Sequence, residues 1–252
     1  MSSSGRSTLV ALAIVLAFML VWEASVTLAG TPVYILPAPS RVLSTLAENT
    51  GLYAEASLVT LSEALAGLVI GLASGALLAM ALTLQPGMEG GVMTLAILLK
   101  STPIVAIAPL LTLWLGFGML PKVIITALLT FFPVLVNVLS GLQRPDPALL
   151  DLFRSWQSTR WEIFVHLRLP SAAPYLFAAL KISAPLALIG AVVAEWTGAS
   201  GGLGRTMWLA YANLNLPYLF GAIFLLAAFG MALYWSLARL EKQVIFWNRN
   251  LE

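Results

Sequence analysis

Six stretches of this chain, at about 8–29, 56–84, 91–116, 120–141, 173–197 and 217–240, are long and almost wholly apolar. A run of about 20 such residues, wound as an α-helix, matches the hydrocarbon thickness of a bilayer, and a helix satisfies its own backbone hydrogen bonds where no water can. The pattern predicts an all-α polytopic membrane protein, with six transmembrane helices in a single transmembrane domain over 1–252. Only 10% of the residues are charged, against about a quarter in a soluble domain. The first run follows one arginine, Arg6, and resembles a signal peptide in position only. It is long for one, and Glu23-Ala24-Ser25 is a poor cleavage signal, so it is read as an uncleaved first span.

Several chemistries are excluded early. The chain has no cysteine, which rules out disulfides, iron–sulfur clusters and thiolate metal sites. With one histidine, His166, no metal centre is expected, and a net charge of +2 is too small to suggest nucleic acid. No G-x-x-x-x-G-K-[ST] occurs, so the chain has no phosphate-cradling loop and cannot itself be an ATPase. Gly198-Ala199-Ser200-Gly201 imitates the nucleophile motif of intramembrane rhomboid proteases. However, His166 lies about thirty helical residues away, roughly 40 Å at full rise, and a serine nucleophile needs a base within hydrogen-bond reach. The glycines are expected simply to end the fifth span in a flexible outer turn.

Six spans place both termini on one side. With the N-terminus inside, the inner segments hold Arg6, Arg144, Arg154, Arg160, Arg168, Arg239, Lys242 and Arg249, and the outer loops hold Arg41, Lys122 and Arg205. This excess predicts cytoplasmic termini and puts residues 142–170, the longest polar interruption, in the cytoplasm. That segment carries Arg144, Arg154, Arg160, Arg168, His166, Asp146, Asp151 and Glu162. Its spacing predicts two short helices. Asp146 caps the first, with Pro147 at its first position, and it runs to about Trp156. Gln157 and Ser158 break the pair. Thr159 opens the second, with Glu162 three residues on to complete a capping box. Trp161, Phe164, Val165 and Arg168 share one face, and Leu169-Pro170 closes the unit. Caps at two defined points imply a fixed shape suited to docking a soluble partner; a loop resting on membrane lipid headgroups is the simpler alternative.

Inside the membrane, Gly67, Gly71 and Gly75 strip one face of span two for close helix packing or for a dimer. Pro103 and Pro109 are expected to kink span three. The prolines of Leu36-Pro37-Ala38-Pro39-Ser40 predict an outer turn, with Ser40 capping a short surface helix. Glu63, Lys100, Lys181 and Glu195 are costly in a bilayer and should face protein or an interface. Lys181 can snorkel, Glu63 suits a structural or dimer contact, and Lys100, Pro103, Glu195 and Trp196 are candidates for a translocation path. No internal repeat is seen, which weighs against an inverted-repeat secondary transporter. An ATP-independent channel or transporter and a membrane enzyme remain open on these grounds.

The segment Asp151-Leu-Phe-Arg154-Ser155-Trp-Gln157-Ser-Thr-Arg160-Trp161-Glu-Ile-Phe164, ending in Leu169-Pro170, resembles the EAA loop of bacterial binding-protein-dependent ABC transporter permeases. In that family the loop forms coupling helices that seat in a groove of the cytoplasmic ATPase. Asp151 stands at the acidic position, and Arg154, Ser155, Arg160, Trp161, Phe164, Leu169 and Pro170 match usual residues. Phe153 replaces a small residue, and Gln157 replaces a glycine. If that glycine serves a left-handed backbone, glutamine costs about 1 kcal/mol there.

The resemblance extends along the chain. Trp22-Glu23, Leu36-Pro37-Ala38-Pro39-Ser40, Pro103-x-x-Ala106-x-x-Pro109-Leu110 and Glu195-x-x-Gly198-Ala199-x-x-Gly202-Leu203-Gly204 are typical of the nitrate/sulfonate/taurine branch. Pro174 to Lys181 and Ile189 to Trp196 are most similar to permeases for thiamine-precursor pyrimidines or riboflavin. The resemblance implies an ATP-driven importer in the bacterial inner membrane. Two permease copies would form a homodimer, with an ATPase subunit dimer on the coupling loops that carries the ATP and Mg. An extracytoplasmic substrate-binding protein would deliver the solute. No cofactor is implied for this chain. An alkanesulfonate, taurine or nitrate permease is the alternative within the branch.

Overall fold

The computed structural model describes residues 3–246, and within them every regular element is a helix. Arg249, counted above among the inner charges, lies outside the described residues, as does the side chain of Arg6. In chain order the helices are α1 (Ser3–Leu28), α2 (Pro39–Glu48), α3 (Thr50–Leu84), α4 (Glu89–Ser101), α5 (Ile104–Leu115), α6 (Met119–Gln143), α7 (Pro147–Ser155), α8 (Arg160–Ile163), α9 (Leu169–Glu195), α10 (Leu203–Ala212) and α11 (Leu216–Val244). Five are long and apolar enough to cross a membrane, and the bent pair α4–α5 makes a sixth crossing. Contacts at the two ends show that the crossings alternate. Gln143 of α6 meets Glu89 of α4 at the end that carries α7, whereas Thr60 of α3 meets Glu195 of α9 at the opposite end.

The centre of the bundle is α3, α6 and α9. Gly67, Gly71 and Gly75 of α3 lie against Thr126, Thr130 and Val134 of α6, two stripes at the same four-residue spacing. A methyl group on any of the three glycines would strike α6, so the stripe serves packing within the protomer rather than a dimer face. Toward the α7 end this contact widens into a core of Leu82, Leu135, Leu139, Leu142 and Phe164. Farther along, Leu68, Ala184, Ala187, Leu188 and Ala191 receive Leu226 and Phe229 of α11. In contrast, α1 stands at the rim. Phe18 is 63% exposed, and the helix is held by Trp22, whose ring sits 5.5 Å from Phe220 and 5.9 Å from Phe224 of α11. An apolar surface of this kind suits lipid.

The third crossing is broken, not kinked. Thr102 is extended, as a residue before proline prefers, and Pro103 becomes the N-cap of α5. The two halves meet at 90°. Pro109 stays inside α5, where it forfeits a single backbone bond.

Two outer segments differ from expectation. Residue Ala38, not Ser40, stands at the start of α2. Ser40 instead donates from its backbone N–H (2.9 Å) and its hydroxyl (2.6 Å) to Glu23, tying α2 to α1. The glycines after the fifth crossing end α9 in a turn, as expected, but a further helix, α10, follows them. Gly198 and Gly202 adopt φ of +115° and +106° and fold the chain back so that α10 packs beside α9 and α11.

Candidate functional site

The polar segment between α6 and α9 is the most distinctive surface of the molecule, and its shape comes from four local devices. Asp146 accepts a hydrogen bond from the Ala148 N–H at 2.9 Å, and Pro147 starts α7, as expected. The helix stops after Ser155 because Gln157 turns left-handed, with φ of +57°. The Gln157 N–H bonds to the Arg154 carbonyl (2.9 Å) and the Ser158 N–H to the Phe153 carbonyl (3.1 Å). This is a Schellman cap, and its pivotal position usually holds glycine. Next, Thr159 and Glu162 close a complete capping box. The Thr159 backbone N–H (2.7 Å) and hydroxyl (2.8 Å) both donate to Glu162 and hold its carboxyl below the usual carboxylate range.

The fourth device overturns one expectation. Leu169-Pro170 does not close a separate second helix. α8 runs through a π-helical turn at Phe164–Arg168 straight into α9, so residues 160–195 form one helical element that begins in the loop and ends across the bundle. Pro170 is accommodated in the first turn of α9, just beyond the π turn. π turns of this kind concentrate at functional positions.

The expected coupling residues fall into two sets. Asp151, Arg154, Ser155, Gln157, Arg160 and Trp161 are exposed. Arg154 reaches Asp151 at 3.1 Å, with both side chains mostly in solvent, a pair worth little to stability. Arg160 has no ion pair among the described residues, and Trp161 is 63% exposed. Phe164 turns the other way. It is buried in the bundle core, and Trp161 stacks on it at 5.6 Å. Its part is to root the loop, along with Arg168, whose guanidinium donates to the Leu142 carbonyl at 3.0 Å and so fixes the end of α6. Leu169 and Pro170 sit exposed at the start of α9. Phe153, large where the resemblance expects a small residue, is half-buried and packs on Trp156 at 5.9 Å. Between this loop and the turn after α3 lies a cleft of about 500 Å³, with Arg154, Arg160 and Arg168 on its walls.

The residues expected along a path through the membrane are not brought together. Lys100 and Pro103 lie at the α4–α5 break, where the Lys100 ammonium sits 4.5 Å from the centre of the Phe132 ring. Glu195 is fully buried at the far end. It accepts from Thr60 Oγ1 (2.6 Å), Gly204 N (2.5 Å) and Arg205 N (3.2 Å). Trp196, next in sequence, is 41% exposed and faces Trp208 of α10 at 6.5 Å. Two further ion pairs were not legible in the sequence. Glu63 accepts from Lys122 at 2.7 Å, both buried, so Lys122 is a helix residue of α6 rather than an outer-loop charge. Lys181 meets Glu241 of α11 at 2.7 Å instead of snorkelling free. Ser200 and His166 lie at opposite ends of α9, and His166 Nδ1 is 3.1 Å from the Glu162 carbonyl, which removes the protease reading.

Comparison with known proteins gives a consistent result. The model of a family described as binding-protein-dependent transport system inner membrane component matches residues 67–246. A probable ABC transporter permease protein of Haemophilus influenzae is 34% identical over 226 residues, which is 90% of this chain and 92% of that one. The formylaminopyrimidine transport permease protein ThiX of Halalkalibacterium halodurans is 33% identical, with 93% and 94% of the two chains covered. The riboflavin transport system permease protein RibX of Chloroflexus aurantiacus is 32% identical, with 90% and 85% covered. Among solved structures, an amino acid ABC transporter with histidines superposes with a TM-score of 0.63 at 16% identity, covering 80% of this chain and 96% of that one. The methionine transporter MetNI in an inward-facing conformation gives 0.58 at 20% identity, covering 74% and 91%. These two likenesses are of fold.

Proposed function

The chain belongs to the family of binding-protein-dependent transport system inner membrane components, and from that premise we propose that it is the permease subunit of an ABC importer for a small nitrogen heterocycle, a thiamine-precursor pyrimidine or a riboflavin-like compound. The choice of solute follows the two relatives about a third identical to it whose names specify one. The whole chain works as one membrane domain and pairs with a second copy. It sits in the bacterial inner membrane with the loop end, and so both termini, in the cytoplasm; the cluster of arginines at that end supports this orientation.

The observation that carries the proposal is the loop itself. It is capped at both helices, rooted by Phe164 and Arg168, and leaves Asp151, Arg160 and Trp161 exposed. A soluble ATPase subunit docks there, one on each permease copy, and holds the ATP and Mg, since this chain has no phosphate-cradling loop. ATP-driven closure of the ATPase pair draws the two loops together. The motion passes along residues 160–195 to the far end, where an extracytoplasmic binding protein releases solute onto a path that includes Lys100, Pro103, Glu195 and Trp196.

The test is assembly. The permease co-purifies with its ATPase, and reversing the charge at Asp151 or Arg160 abolishes both the complex and ATP-dependent uptake of riboflavin or formylaminopyrimidine into proteoliposomes. Undiminished assembly and uptake in these variants defeats the docking role. Uptake of an aliphatic sulfonate in place of either heterocycle defeats the choice of solute.

A further inference from the structure

Four ionisable groups in the crossings drew attention in the sequence, and three of them find a polar partner inside the protomer. Glu63 is paired with Lys122, Lys181 with Glu241, and Glu195 with Thr60 and two backbone amides. Lys100 is the exception. It takes part in no ion pair among the described residues and has only the face of Phe132 against its ammonium. A lysine in the last turn of α4 suits the helix dipole, but that role does not call for a cavity. Here one is present: about 510 Å³ open between the broken third crossing, α6 and α9, with Leu99, Lys100, Ile104, Leu129, Phe132 and Ile182 on its walls. Its size is that of a small-molecule site, and broken crossings are where membrane proteins place such sites. Ser101 and Thr102 also line the cavity, but their hydroxyls are engaged on their own helix, Ser101 with the Ile97 carbonyl (2.8 Å) and Thr102 with the Leu98 carbonyl (3.0 Å). The Lys100 ammonium is thus the one charged donor the cavity presents.

We propose that this cavity is a solute-recognition subsite within the membrane, in which Phe132 supports a flat ring and Lys100 donates to an oxo, formyl or anionic oxygen on it. The proposal rests on the importer reading above and adds a selectivity that the reading does not contain. A neutral or anionic heteroaromatic solute with oxygen acceptors exchanges the cation–ring contact for a charge-assisted hydrogen bond. A ring carrying a fixed positive charge meets the ammonium and is repelled. Uncharged pyrimidines and flavins are therefore accepted, and thiamine, with its cationic thiazolium, is refused at this point on the path.

The chain lacks cysteine, so Ser101→Cys puts a single thiol on the cavity wall. The permease–ATPase complex carrying it is reconstituted in nanodiscs without binding protein and labelled with a methanethiosulfonate reagent. Riboflavin or formylaminopyrimidine, at about four times its Kd, slows labelling about fivefold, and thiamine does not. Adding Lys100→Met removes the protection, whereas Lys100→Arg keeps it. With binding protein present, Lys100→Met raises the KM for uptake about tenfold, the loss of one charge-assisted bond, and changes kcat less. Protection unchanged by Lys100→Met, or equal protection by thiamine, overturns the assignment. Lack of protection by either heterocycle, while the unmodified complex imports one of them, overturns the subsite and leaves the importer standing. Failure of the unmodified complex to import either heterocycle overturns the choice of solute and the subsite with it.

Discussion

Thr60 and Glu195, on α3 and α9, are joined by a 2.6 Å hydrogen bond in which the threonine hydroxyl donates to the carboxylate, and the same hydroxyl accepts from the Leu203 N–H at 2.8 Å. One buried side chain thus fastens the far end of α9 to α3 and to the first turn of α10. Glu195 completes the knot by accepting the Gly204 and Arg205 amides, which a helix N-terminus leaves free for an anion.

Replacing Thr60 with valine keeps the volume but leaves one oxygen of the Glu195 carboxylate and the Leu203 amide without a partner. The variant should lose about 2 kcal/mol or more of stability, read as a fall in the melting temperature of the detergent-solubilised protein. Thr60→Ser should recover most of it.

Glu63 and Lys122 form a buried pair, and such pairs punish the loss of one member more than the loss of both. Lys122→Met should cost about 3 kcal/mol or more because Glu63 is left buried without its partner. The double variant Glu63→Gln, Lys122→Met should be the more stable of the two. A double variant that is worse than Lys122→Met would show that the ion pair itself, rather than its breakage, carries the stability.

At Gly71 an added methyl group would meet the Thr130 hydroxyl and the Ala127 carbonyl of α6. Because one obstacle is backbone, Thr130→Ala cannot fully relieve it. Gly71→Ala should cost about 1–3 kcal/mol. Gly90→Ala, which faces open space on α4, should instead be neutral or stabilise by up to about 1 kcal/mol. Parallel thermal melts of the two variants decide this.

Gln157 occupies a left-handed position on an exposed turn. Gln157→Gly should relieve about 1 kcal/mol of backbone cost, and Gln157→Val should add to it. Hydrogen exchange at the Ser158 amide reports the change directly, slower with glycine and faster with valine. Leu214 ends α10 in the same conformation, at φ +53°, and should respond in the same way to glycine.

The Glu162 carboxyl is held below its ordinary range by the two donors of Thr159. Its contribution is therefore complete at neutral pH, where the carboxylate is charged both folded and unfolded. It is lost as pH falls from the ordinary carboxylate value through the depressed one. Exchange at the amides of residues 159–162 should quicken across that interval in the parent protein and change little with pH in Glu162→Gln.

The parts of this architecture that sequence revealed were those decided locally. Asp146-Pro147 and Thr159-x-x-Glu162 carry their caps within four residues, so α7 and the start of α8 could be read directly. The four-residue glycine spacing of α3 announced a close helix contact, although not that Thr126 and Thr130 of α6 would fill it. What stayed hidden depends on distant partners. The Glu63–Lys122 and Lys181–Glu241 pairs span crossings that no spacing rule connects, and α10 is a short helix after glycines that read as a plain turn. The break at Pro103 rather than Pro109 shows the same limit. Both prolines carry the same local penalty, and only at Thr102–Pro103 does the chain turn through 90°.

The continuity of residues 160–195 has a mechanical consequence. Thirty-six residues of helix make a beam of about 50 Å, with Trp161 at one tip and Glu195 at the other. The Thr126–Thr130 face of α6 supplies a fulcrum nearer the Glu195 tip, where Ser183 and Gly190 press against it. In the import cycle proposed above, a push on the loop tip travels along this helix, past Pro174 and Pro185 inside it. It arrives as a swing of the opposite tip, and the first thing that swing meets is the Thr60–Glu195 fastening.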